Sequence, residues 1–335
     1  MNIVSTGDLA QTFSLSRQNN AVRQQLDRLT QELTSGLVQD VTDRLKGDFS
    51  GLADFEREIA LLNTYANTVS EAETQATVMQ ATLDAVQTQF GDLVNTLALS
   101  FTAAGLNDQR NVAFEAQATL NSMLSNLNTT VAGRALFSGT DVATAPLEGE
   151  DAVLTNVQAA IAGLTTAADV LAAADAYFGP GGGFETDIYR GATTDLAPFD
   201  LGAGESVNFA LRADNDAVRE VLKVTSVAAL VTDPGLSLSD GEMQKLLQAL
   251  PERTLSGREG ITRLQADLGF AEGRIEAAGT RIVAETSSME IARAQLVEAD
   301  PFETASELEA VQIRLEMLYT LTARSSRLSL VNFLS

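Results

Sequence analysis

Three carboxylate pairs come nearest to residues that could do chemistry: Asp40 with Asp43, Asp214 with Asp216, and Glu298 with Asp300. A calcium loop spreads its ligands over about twelve residues, with Gly at the sixth and Glu at the twelfth. None of the pairs has that frame. Glycoside hydrolysis sets two carboxylates across a sugar, but these lie in helical, Ala-rich stretches without aromatic platforms. The run Gly179-Pro180-Gly181-Gly182-Gly183 has no Lys-Ser or Lys-Thr behind it, so it lacks the end of a P-loop that grips phosphate. Gly202 and Gly204 begin a dinucleotide fingerprint whose third glycine is missing, and a turn fits them better. The acidic pairs are expected to be solvated surface.

The chain of 335 residues has no Cys and no His. That removes zinc sites of the Cys/His type, imidazole-dependent nucleophiles, haem ligation and any disulfide framework. No catalytic, cofactor-binding or metal-binding residue is therefore expected. The formal net charge of -23 argues against nucleic acid, which needs a basic face, and against anionic membranes. No stretch of 18 apolar residues occurs, so no transmembrane helix is expected. Met1 to Phe13 lacks the basic and apolar blocks of a Sec-type signal peptide.

The elements behind these residues read as long helices. Aromatics are 5% and Trp is absent, so Ala, Leu, Thr and Gln must fill the core, which suits packed helices. Val22, Leu26, Leu29 and Leu33 mark a first helix, which Gly36 stops. Leu62, Val69, Ala76, Leu83, Phe90 and Leu97 recur every seven residues, with Tyr65, Ala72, Met79, Val86 and Leu93 three positions on. Together they make a coiled-coil seam on a helix about 60 Å long. A return helix carries Ala113, Leu120, Leu124, Leu127 and Val131.

The middle reads as one Ala-rich helical stretch over residues 153–176, strand-like pieces at 186–190 and 206–212, and a helix over 216–230. A second seam runs from Ile261 to Leu296. Asp300-Pro301 breaks it, because the residue before Pro disfavours helix. A last helix carries Leu308, Val311, Leu315, Leu318, Leu321 and Leu328, with Arg314, Arg324 and Arg327 among them. Arginines there suit the helix dipole or pair with acidic neighbours in an assembly.

The fold expected is mainly α: a long antiparallel helical bundle or coiled-coil rod built from both chain ends, with a small α+β insert in the middle. Residues 1–45 with 301–335 form a terminal-helix domain, 46–145 with 241–300 a long-helix domain, and 146–240 the insert. The terminal helices offer few residues to cover each other. Val22, Leu26, Leu29, Leu33, Leu308, Val311, Leu315, Leu318, Leu321, Arg324 and Leu328 are therefore expected to contact other subunits.

Three segments carry a resemblance. Glu32-Leu33-Thr34-Ser35-Gly36 is similar to the end of the first flagellin helix, although the acidic pair and Pro usual after it are not matched. Leu136-Phe137-Ser138-Gly139-Thr140, and Asp300-Pro301-Phe302-Glu303-Thr304-Ala305 with Leu308, Gln312, Leu318 and Leu328, resemble the hook–filament junction branch of the same family. The resemblance to the bacterial flagellin family implies a structural subunit of the flagellum, not an enzyme. It implies export through the flagellar type III apparatus and an extracellular place in the flagellum after a cytoplasmic stage. The partners implied are copies of the chain in a ring, a neighbouring hook-associated protein, flagellin and an export chaperone. A filament flagellin, an intracellular coiled-coil scaffold and a hydrolase with flagellin-like ends stay open as alternatives. A junction subunit is also expected to have protease-sensitive ends, residues 1–45 and 301–335, as a monomer.

Overall fold

The computed structural model describes the backbone of residues 6–100 and 106–334, and side chains over 13–99 and 108–324. The helices are α1 (Thr6–Ser35), α2 (Val41–Arg44), α3 (Ser50–Ser100), α4 (Leu106–Leu127), α5 (Glu150–Ile161), α6 (Ala167–Phe178), α7 (Asp216–Ala229), α8 (Asp240–Val297) and α9 (Pro301–Leu334). Two antiparallel hairpins join them: β1 (Thr130–Val131) with β2 (Arg134–Ala135), and β3 (Phe199–Gly202) with β4 (Glu205–Val207). The fold is mainly α, with small strand pairs. Two compact units divide it, one from residues 64–283 and one from the chain up to 63 with the chain from 284 on.

In the larger unit the heptad series of α3 is the buried one. Val69, Ala72, Ala76, Met79, Leu83, Val86, Phe90, Leu93 and Leu97 are all buried. On α8 the ladder Ile261, Leu268, Ala271, Ile275, Ala278 and Ile282 is buried too. The helix also continues through Pro251, whose carbonyl accepts from Thr254 Oγ1 at 2.7 Å. α7 is buried from Ala217 to Ala229 except at Glu220, and the buried residues include Arg219 and Lys223.

The middle differs from its sequence reading in three places. The Ala-rich stretch is two helices, parted at Gly163 (φ +73°) and restarted where Thr166 caps α6. The piece at 186–190 is not a strand. Residues Phe184–Ile188 form one π-helical turn, and only Tyr189 makes a bridge, to Leu147. The second strand ends at Val207. Strands of two to four residues carry too little alternation to be read from sequence.

The Leu136–Thr140 segment is a hub. Ser138 O accepts from Ala192 N at 2.8 Å, Phe137 O from Ala213 N at 2.9 Å, and Thr194 O from Thr140 N at 3.0 Å. Phe137 and Ser138 are fully buried. Gly139 has φ +62°, and a side chain there would meet the carbonyls of Thr194 and Ala192. Burial and the Asp214 charge push the Tyr189 hydroxyl up to about 12. It remains a donor, to Ala192 O at 2.7 Å.

The smaller unit holds α1 against α9. Gly36, at φ +71°, ends α1 and donates to Glu32 O at 2.8 Å. The chain then pairs with the segment leading into α9: Val38 N donates to Val297 O at 2.9 Å, and Ala299 N to Gly36 O at 3.0 Å. Asp300 Oδ1 accepts from Phe302 N at 2.8 Å and Glu303 N at 3.1 Å, so it caps α9 beside Pro301.

Candidate functional site

The paired exit from α1 and entry to α9 sets the two helices antiparallel and fixes their register. Val22, Leu29, Val311 and Leu318 form one buried cluster, and Leu15, Leu26, Leu308 and Leu315 pack against it. Seven of the eleven residues expected to contact other subunits, Val22, Leu26, Leu29, Leu308, Val311, Leu315 and Leu318, thus pack against each other within the chain. Arg23 locks the register from the rim. Its Nη2 donates to the Tyr319 hydroxyl at 2.8 Å, and its guanidinium lies 5.8 Å from the ring centre.

The other expected contact residues stand apart from this cluster. Leu33 is 40% exposed, Leu321 is 55% exposed, and Arg324 is exposed. Leu328 and Arg327 lie in α9 beyond the described side chains.

A second apolar row is also open, and the seam pattern alone does not reveal it. Phe302 is 86% exposed, Met317 58% and Ile313 47%. At about 100° per residue, these three fall on the side of α9 opposite Val311 and Leu318, with Leu321 on the flank. The signal in the sequence is the four-residue spacing of Ile313, Met317 and Leu321, which runs beside the seven-residue seam.

Four carboxylates of the three pairs, Asp40, Asp214, Asp216 and Asp300, serve the fold. Asp40 caps α2 by accepting from Asp43 N at 3.0 Å. Asp214 and Asp216 pair with Arg212 and Arg219, and Asp300 caps α9. Among the described residues no group of three or more acidic side chains could hold a metal ion. A cleft of about 410 Å³ between α6, α7 and α8 is lined by Asp175, Asp216, Glu220, Lys223, Arg253 and Arg263, so opposite charges balance across it. Gly202 and Gly204 make the turn of the β3–β4 hairpin, both at positive φ.

Residues 256–334 match the bacterial flagellin C-terminal helical region. No curated protein matches the chain in sequence. Among solved structures, that of a flagellar hook-associated protein from Vibrio parahaemolyticus superposes with a TM-score of 0.53 at 12% identity, covering 75% of this chain and 99% of that one. FlgL of Bacillus cereus superposes with a TM-score of 0.52 at 15% identity, covering 72% of this chain and all of that one. The open row of α9 lies inside the matched region.

Proposed function

Taking the chain as a non-enzymatic structural protein of the bacterial flagellum, of the flagellin family, we propose that it joins the hook to the filament. The observation that carries this reading is the second apolar face of α9. Burying Phe302, Ile313, Met317 and Leu321 against neighbours would release on the order of 4–8 kcal/mol per copy before entropic costs. In this reading the terminal helices, residues 1–45 with 301–335, pack first on each other and then on copies of the chain in a ring. Leu33, Leu321, Arg324 and Leu328 belong to that contact. Residues 46–145 with 241–300 form the next layer, and the 146–240 insert stands outside it. A hook-associated protein and flagellin are the axial neighbours. The chain reaches this extracellular place through type III export, with a chaperone guarding its apolar ends beforehand.

A strain lacking this gene should show hooks without filaments, with flagellin shed into the medium, by electron microscopy. Complementation with Met317→Asp should leave the same defect, although the purified variant melts within about 1 °C of the parent, since the substitution is at the surface. Filaments of normal length in the deletion strain would reject the junction role and leave a filament flagellin. Wild-type filaments with Met317→Asp would reject the outer face of α9 as the contact.

A further inference from the structure

The β3–β4 hairpin reaches across two long helices of the larger unit. On α8, Arg274 donates through Nη2 to Ser206 O at 2.8 Å and through Nε to Glu205 Oε1 at 3.3 Å. Seven residues on, Arg281 donates through Nη2 to Leu201 O at 3.2 Å and faces Glu205 Oε2 at 3.6 Å. Glu205 therefore bridges two arginines on one face of α8. On α3 the hairpin meets Tyr65. A Cβ added to Gly202 would stand 2.8 Å from Tyr65 Cδ2, so only glycine lets the backbone lie on that ring. Tyr65 is a heptad position, and its ring meets the hairpin.

This grip coincides with the edge of the unit. Tyr65 is next to the boundary residue Thr64, and Arg281 is two residues from Val283. On α8 burial changes at the same place, while α3 keeps Ile59 and Leu62 buried on the smaller unit's side of it. The buried ladder of α8 ends at Ile282, and no residue from 283 to 297 is buried. Segments with few buried apolar contacts open at low free energy, and opening spreads along a helix until a turn is held by contacts that must break.

We propose that the β3–β4 hairpin is a clasp that halts unfolding. The smaller unit opens and closes as one cooperative piece, and opening stops at the turns of α3 and α8 that the hairpin holds. A subunit built this way can melt and rebuild its two ends while residues 64–283 stay folded.

Hydrogen exchange of the full chain in sub-denaturing urea, resolved by peptide, tests this. In the parent protein, residues 50–63 and 284–297 should exchange together with α1 and α9. Residues 65–100 and 264–282 should be protected at least about tenfold better. In the Arg274→Ala/Arg281→Ala double variant the limit should move inward, with about tenfold faster exchange in 65–72 and 274–282 and unchanged rates in α4 and α7. Glu205→Gln, a milder change, should move the same peptides in the same direction by a few fold. Exchange of both units in one step in the parent would overturn the proposal. So would variants whose rates change evenly along the chain or not at all.

Discussion

Asp175, near the end of α6, holds two cations from two other helices. Lys223 Nζ on α7 donates to it at 2.7 Å, and Arg253 on α8 at 2.6 and 2.8 Å. Lys223 is only 8% exposed and also donates to Glu220 at 2.6 Å. Burial raises the Asp175 carboxyl, but the hydrogen bonds from Lys223 and Arg253 outweigh it and hold it below its ordinary 3.8. The stability owed to its ionised form is complete above that ordinary value and is lost as pH falls through the lowered one. Asp175→Asn keeps the shape and removes the charge, leaving Lys223 with Glu220 alone. The cleft is open to water, so the loss at pH 7 should be about 1–2 kcal/mol, read as a lower urea midpoint. The gap between variant and parent should begin to narrow below about pH 4, where the unfolded chain's carboxyl takes up its proton, and close only below the lowered value of the folded protein. A gap constant to pH 2 would assign the loss to packing instead. None of this pairing is legible in sequence, because Asp175 and Arg253 are 78 residues apart. The caps at Asp40 and Asp300 act on amides two or three residues away and can be read from it.

Helices α7 and α8 approach through glycines. A Cβ at Gly260 would stand 2.5 Å from the Ala217 Cβ, and one at Gly257 would stand 3.0 Å from Val221 Cγ2. Gly260→Val should therefore force the helices apart and cost about 2–3 kcal/mol, measured by urea unfolding. Gly91 on α3 has no atom near its missing Cβ. Gly91→Ala should instead stabilise by about 0.5–1 kcal/mol, through helix propensity alone. If both substitutions destabilise alike, close approach is not the reason for the glycine at 260. At this scale the long helices were readable because a seven-residue period repeats along them, and their ends because Gly36 and Asp300-Pro301 act locally. The open face of α9 was harder to see. Its residues share a helix with a stronger seam, and only the burial of Val311 and Leu318 separates the two rows. The split between α5 and α6 and the π-helical turn were hidden by a run of Ala and Gly that fits several backbones.

Across the whole molecule, the smaller unit is built from segments at opposite ends of the chain. Arg23 and Tyr319 touch across 296 residues of sequence. A chain ending after Asp300 would leave Val22 and Leu29, 5% and 1% exposed in the full protein, without their cover. Limited proteolysis of that truncated chain should cut within residues 13–35 at least about tenfold faster than in the parent, with the 64–283 unit intact. Unchanged resistance over 13–35 would mean that α1 needs no partner from the far end.

That separation also sets a clock. A ribosome adding about 5–20 residues per second needs on the order of 15–60 s to travel from Arg23 to Tyr319. Throughout that time α1 has its apolar stripe facing water, because its cover on α9 is made only at the end of the interval. Nascent α1 must be kept from sticking to its neighbours for longer than most small domains take to fold.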